Sequence, residues 1–249
     1  MPATFSKRQA YSKLLDGFAE AYRKTQCEQR EAASIQKDSL GRLIDGFKTK
    51  LKELWKRRKT TADDFNLLAV FDLESDEICH SKALAWLLNP DPRAKGTHYQ
   101  GNAGFHAFLE EFGLDLTCAD QTYTVETEPA EDESRLDIRM VARGRWLIGI
   151  EVKIWAVEGD EQTHREWRDL RKKAKREQVP ENCIHAFFLT PDGAEPKCKD
   201  FQPITWRRVA KVFRRFSENI SPDEVALFAR HCARAMEHFS PPPEEAEEE

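Results

Sequence analysis

Apolar residues recur along this chain with two different periods, and the change from one to the other divides it. From residue 5 to 59 the spacing is helical. Tyr11, Leu14, Leu15, Phe18 and Tyr22 form one set, and Leu40, Leu43, Ile44, Phe47, Leu51 and Trp55 form a second. The stretch lacks proline, and Leu-Leu-Asp-Gly-Phe at 14–18 is echoed by Leu-Ile-Asp-Gly-Phe at 43–47. Two amphipathic helices with similar buried faces are predicted. Thr61-Ala-Asp-Asp begins a further helix over 65–72, and Ser75 or Asp76 is placed to cap the next. On that next helix Glu77, Ser81, Leu84 and Leu88 share a face, with His80 one step around, and Pro90 and Pro92 end it. Residues 104–113 predict another short helix, closed by Gly113.

After that the period becomes two. Thr122 to Glu128 is rich in β-branched residues and predicts the first strand. In 135–140, Leu136, Ile138 and Met140 fall on one face and Arg135, Asp137 and Arg139 on the other. In 148–154, Ile148, Ile150, Val152 and Ile154 oppose Gly149, Glu151 and Lys153. The linker Ala-Arg-Gly-Arg suits a hairpin with Gly144 in the turn, so both runs read as half-buried strands. A helix follows over 161–178 with Thr163, Trp167, Leu170 and Ala174 inward. Residues 182–190 form a buried strand stopped by Pro191-Asp-Gly, and Phe201 to Trp206 a last strand. Ser221-Pro-Asp-Glu starts a closing helix over 222–239. The order is helices, then β-β-β-α-β, then helices. This predicts an α/β domain, a mixed sheet flanked by helices.

Pairing the hairpin brings Asp137 close to Glu151 and Lys153 on one surface. Two carboxylates and an ammonium there suit a hard-cation site. The competing reading is a solvated strand face, the usual meaning of alternating charge. Glu151 and Lys153, however, lie in the most apolar stretch of the chain. Glu158, Glu161 and Gln162 follow closely enough to lean over the same surface, although exposed acids at a helix start are also explained by the helix dipole. Glu77, a carboxylate on a core-facing side, needs a partner. His80 has an ordinary reading as a core histidine bonded to backbone.

The pattern Asp137, a gap, then Glu151-Val152-Lys153 resembles the PD-(D/E)XK nuclease superfamily, whose core reads αβββαβ. Asp76-Glu-Ile-Cys-His-Ser-Lys-Ala-Leu-Ala-Trp-Leu-Leu-Asn-Pro90 resembles the E-x-x-HS-x-x-LAWLL helix of one prokaryotic branch, covering Glu77, His80 and Ser81. Arg135-Leu-Asp137-Ile resembles its R-x-D-I strand and Ile150-Glu-Val-Lys-Ile154 its I-E-x-K-I strand. Gln162 falls where the branch has a helical glutamine. A lone D…ExK is weak, but these four blocks occur in order over about residues 65–190. One departure is His98-Tyr-Gln-Gly-Asn-Ala-Gly104, where the branch has a compact HG-x-G, so the substrate-facing loop is expected to differ.

The resemblance implies a restriction-endonuclease-like fold and metal-dependent phosphodiester hydrolysis. Asp137, Glu151, Glu77 and the carbonyl of Val152 would hold Mg²⁺, with Mn²⁺ as an alternative ion. Lys153 would orient the attacking water, Gln162 would hold the water or a phosphate oxygen, and Glu158 would stand behind them. The implied partner is nucleic acid, with DNA favoured, and the implied setting is host defence or phage biology.

Composition adjusts this picture at the ends. Forty per cent of residues are apolar and 33% charged, which suits a soluble globular chain. No run approaches the ~18 apolar residues of a membrane span, and the start lacks the apolar segment of a signal peptide. The six cysteines are scattered without metal spacing, so they read as reduced cytoplasmic thiols. The net charge of −5 is unevenly placed. Residues 1–60 carry 15 Lys/Arg against 7 Asp/Glu and read as a basic helical extension. That extension is a candidate for homo-oligomerisation. Residues 61–240 form the nuclease-like domain, and PPPEEAEEE at 241–249 reads as a disordered acidic tail. Candidate phosphate contacts are Lys56, Arg57, Arg58 and Lys59, then Arg168 and Lys172 on the 161–178 helix, then Arg207 and Arg208. Each of these is equally read as a solvated helix face. Two other classes stay open: a nuclease fold that only binds nucleic acid, and an assembly protein. The intact Asp/Glu/Lys set argues against the first.

Overall fold

A five-stranded sheet, with strand order β1-β2-β3-β4-β5, organises the larger part of the described residues. In this computed structural model the described residues are 3–62, 65–114, 122–129 and 134–239. The chain divides into two units, Met1–Phe65 and Asn66–Glu249. The division falls a few residues after the expected boundary at 60/61, and the acidic tail at 241–249 lies outside the described residues.

The first unit is one helix, α1 (Ala3–Thr61), where two were expected. Nothing in the sequence stops it: there is no proline, and the interior glycines cost only about 1 kcal/mol each relative to alanine. Phe18, Tyr22, Leu40, Leu43, Ile44, Phe47, Leu51 and Trp55 are exposed rather than buried. The side chains of Tyr11, Leu14 and Leu15 lie outside the described residues.

The second unit begins with α2 (Leu67–Val70), capped by Asn66, whose side chain accepts from the Leu68 N–H. The start expected from Thr61-Ala-Asp-Asp is displaced because α1 runs on to Thr61, after which Ala62 takes φ 50°. α3 (Glu77–Leu88) is capped by Asp76, which accepts from the Cys79 N–H at 2.6 Å. α4 (Ala103–Phe112) ends at Gly113 in the left-handed region, φ 66°. Gly104 lets α4 approach α3, since a Cβ there would lie 2.0 Å from the Leu87 carbonyl oxygen.

β1 (Thr124–Thr127), β2 (Ile138–Ala142) and β3 (Trp146–Val152) are antiparallel neighbours, with Ile138 opposite Ile150 and Met140 opposite Ile148. α5 (Gln162–Arg176) then crosses over, so β4 (Ile184–Thr190) runs parallel to β3. β5 (Phe201–Thr205) is parallel to β4, and α6 (Trp206–Glu218) and α7 (Asp223–Glu237) follow. This is the αβββαβ order that the sequence resemblance implies.

The hairpin is not half-buried; both of its faces are covered. Ile138, Met140, Ile148, Ile150 and Val152 pack with side chains of α3, α4, α6 and α7. Val141 and Leu147 pack on the opposite face with Leu170 and Ala174 of α5. Leu136 belongs to this second layer rather than to the face of Ile138 and Met140. The chain bends at Asp137 before β2 begins, which breaks the alternation there. Gly149 makes room, because a Cβ would stand 2.8 Å from both Leu136 and Leu170. Glu151 lies on that same covered face.

Candidate active site

The parallel strands β3 and β4 end side by side, and the carboxyl end of a parallel pair is where backbone groups run out and side chains can converge on a ligand. Glu151 is the penultimate residue of β3, only 1% exposed. Its Oε1 accepts from Lys153 Nζ at 2.5 Å and from Gln162 Nε2 at 2.5 Å, while Oε2 is buried with no hydrogen-bond donor. Asp137, at the bend before β2, accepts from the Val152 N–H at 2.7 Å. Glu77, in the first turn of α3, accepts from the Ile154 N–H at 2.8 Å. Glu77 and Gln162 therefore reach the end of β3 from two different helices.

Electrostatics tie these groups into one cluster. Burial raises Asp137 above the ordinary carboxylate range, against the Val152 N–H and Lys153, and Glu77 raises it further. Burial, then the negative charges of Glu166 and Asp137, push Glu151 well above its usual value, with Lys153 opposing. Burial alone would lower Lys153, but Glu151, Asp137 and Glu77 outweigh it and raise the ammonium. One lysine thus faces a surplus of carboxyl groups.

Glu166 also lies inward on α5, the helix that the sequence predicts to be lined by Thr163, Trp167, Leu170 and Ala174. It is 1% exposed, and neither oxygen has a donor in hydrogen-bond geometry, although Gln162 and Glu151 adjoin it. Burial pushes it up to about 7. Its signal was present, for Glu166 follows Gln162 by four and precedes Leu170 by four, the spacing of one helix face. Asp169 is buried on the same side and accepts from the Ser134 hydroxyl at 2.8 Å. Trp206, at the start of α6, was also not singled out. Its indole N–H donates to the Lys153 carbonyl at 3.0 Å and fixes the backbone after β3.

Other expected residues are placed elsewhere or used structurally. His80 is fully buried, with Nε2 2.9 Å from the Glu74 carbonyl and its ring edge-on to Trp206 and Phe239. Burial lowers its pKa. Ser81 donates to the Glu77 carbonyl at 2.8 Å. Arg135 pairs with Glu128 at 3.0 Å. Glu158 accepts from the Thr163 hydroxyl at 2.6 Å and from the Lys197 N–H at 2.9 Å, which pins the start of α5 to the loop after β4. Lys172 bonds to Asp169, and Arg208 is held by Glu111 and stacks over Phe112 at 4.4 Å. Arg168 and Arg207 are exposed. Lys56, Arg57, Arg58 and Lys59 are exposed near the end of α1, in the other unit.

The donor set fits a divalent cation. Three buried carboxylate oxygens, one on Glu151 and two on Glu166, lack donors, and such orphaned groups cost roughly 1–3 kcal/mol each unless something satisfies them. Among the described residues no three His, Cys, Asp or Glu side chains form a ready-made cage. Asp137 and Glu77 each direct one oxygen to a backbone N–H, while Glu151 directs Oε1 to Lys153 and Gln162.

The family model of the PD-(D/E)XK nuclease superfamily matches residues 65–229. No curated protein matches, and no solved structure matches. Nucleases of this superfamily generally use divalent metal ions and act on nucleic acid.

Proposed function

We propose that this chain, which belongs to the PD-(D/E)XK nuclease superfamily, is a Mg²⁺-dependent nuclease hydrolysing phosphodiester bonds, with Asp137, Glu151 and Lys153 at its centre. The observation that carries the proposal is the convergence of Asp137, Glu151, Lys153 and Glu77 at the end of β3, with a buried Glu151 oxygen lacking a donor.

Asp137 and Glu151 would hold the ion, and Glu77 would hold the Ile154 backbone beside it. A divalent cation bound there supplies Lewis-acid polarisation and a water of lowered pKa. The Lys153 ammonium, raised and therefore charged at neutral pH, orients the attacking water and offsets charge on the phosphorane-like transition state. Gln162 accepts from the Gly159 N–H at 3.0 Å while donating to Glu151. Bonded at both ends, it positions Glu151 and keeps its proposed role of holding the water or a phosphate oxygen.

DNA is the favoured substrate and the cytoplasm the favoured compartment. Cys79, Cys183, Cys198 and Cys232 are free thiols, and no described helix is long and apolar enough to cross a membrane. Self-association is assigned to α1. Leu40, Ile44, Phe47, Leu51 and Leu54 are exposed at alternating steps of four and three, the heptad seam of a coiled coil.

The test is incubation with plasmid, single-stranded DNA and RNA in Mg²⁺, Mn²⁺ or EDTA, beside Asp137→Ala. Metal-dependent cleavage absent from the variant is expected. Equal inertness of wild type and variant on every substrate would leave a binding fold without the reaction.

A further inference from the structure

A cavity of about 360 Å³ opens beside Lys153, walled by the chain leaving β3 and the chain leaving β4. Two large apolar side chains on its β3 wall remain in solvent, Trp155 at 45% and Val157 at 90% exposure. Both walls are fixed. Thr190 accepts from the Gly193 and Ala194 N–H groups at 2.9 Å, which shapes the β4 loop. Glu158 ties that loop to α5 through the Lys197 N–H. A preformed, mostly apolar recess with a few polar groups at its edge is the usual form of a small-ligand site.

Its position and charge narrow the occupant. If the scissile phosphate lies against Lys153, the base of an adjoining nucleotide lies within reach of the same opening. Asp192 and Glu195 line the cavity against Lys197 alone on that loop, so a second phosphate is disfavoured there. The same carboxylates suit the exocyclic amino groups of cytosine or adenine, which are donors. An exposed indole provides a stacking surface that tolerates any base. A base still paired and stacked in a duplex cannot enter without leaving the helix.

We propose that this cavity holds an unpaired nucleobase next to the scissile phosphate, stacked on Trp155, so that the preferred substrate is single-stranded or frayed nucleic acid. The proposal rests on the hydrolase reading for the place of the phosphate, and it is tested separately from it. Fluorescence anisotropy in EDTA would measure binding of a labelled single-stranded oligonucleotide and of its blunt duplex. The proteins are wild type, Trp155→Phe and Trp155→Ala. Trp155→Ala should weaken single-strand binding roughly 5- to 150-fold, the worth of one stacked base, while Trp155→Phe keeps most of the affinity. Duplex binding should be unchanged in both. Wild-type affinity in Trp155→Ala for the single strand overturns the proposal, as does an equal loss on single strand and duplex. A change of oligomeric state in Trp155→Ala with affinity unchanged also overturns it, since a second copy would then cover the cavity. Cleavage in Mg²⁺ separates the two readings. Wild type that binds through Trp155 yet cuts nothing sinks the hydrolase and keeps the base site. Trp155→Ala that cuts single strands at the wild-type rate sinks the base site alone.

Discussion

Glu166→Gln replaces a buried carboxyl with a neutral amide of the same shape, and its effect on stability should depend on pH. In the folded protein Glu166 titrates at about 7, driven first by burial, against an ordinary value of 4.5. A raised carboxyl holds its proton more tightly folded than unfolded. Its contribution is therefore complete below about 4.5 and is lost as pH climbs through about 7. The difference corresponds to about 3 kcal/mol at 1.36 kcal/mol per pH unit. Glu151 stands beside it and is raised as well, so the proton belongs to the pair and the midpoint is a shared one. Thermal melts in EDTA at pH 5 and pH 8 would read this directly. Wild type should lose up to about 3 kcal/mol relative to Glu166→Gln over that interval, roughly 6–12 °C in Tm for a domain of this size. Any fixed cost of the new amide cancels in the comparison. Parallel wild-type and variant curves between pH 5 and pH 8 would refute the reasoning.

Lys153→Arg should lose most cleavage and Lys153→Ala at least as much, because a wide planar fork does not place its charge where the compact ammonium sat. Calorimetric Mg²⁺ titration should show metal binding intact in both. Asp137→Ala and Glu151→Ala should lose cleavage and Mg²⁺ affinity together. Asp137→Ala should in addition cost roughly 1–3 kcal/mol in a denaturant melt, since it strands the Val152 N–H. Gly104→Ala should destabilise by roughly 3 kcal/mol or more in the same assay, because backbone rather than a flexible side chain occupies the position of its Cβ.

Strand positions were legible because residues such as Ile148, Ile150 and Val152 alternate cleanly, and the parallel β3–β4 pair followed from the helix between them. What the alternation could not carry was depth. A period of two separates the faces of a strand but does not say whether α5 covers the second, so both strands read as half-buried when both faces are covered. The bend at Asp137 is likewise invisible to a periodic pattern, and it moved Leu136 to the other layer. Glu166 escaped because charge on a helix is ordinarily turned to solvent, a rule that fails where carboxyl groups are gathered inside. In α1 the two hydrophobic sets are real, but without a proline or a capping pair between them they continue as one helix.

The bond from the Trp206 indole to the Lys153 carbonyl carries a consequence for biosynthesis. The groups that meet at the end of β3 come from residues 77, 137, 151, 162 and 166, and the indole that braces them arrives later still. Domains fold as units, and such long-range closures cannot form until both ends exist. A chain still emerging from the ribosome, with α6 inside the exit tunnel, has every acidic residue of the cluster but not the brace that holds the end of β3. Completion of the cluster thus waits until Trp206 has left the tunnel, and a prematurely terminated product that stops before Trp206 would leave β3 without its clamp.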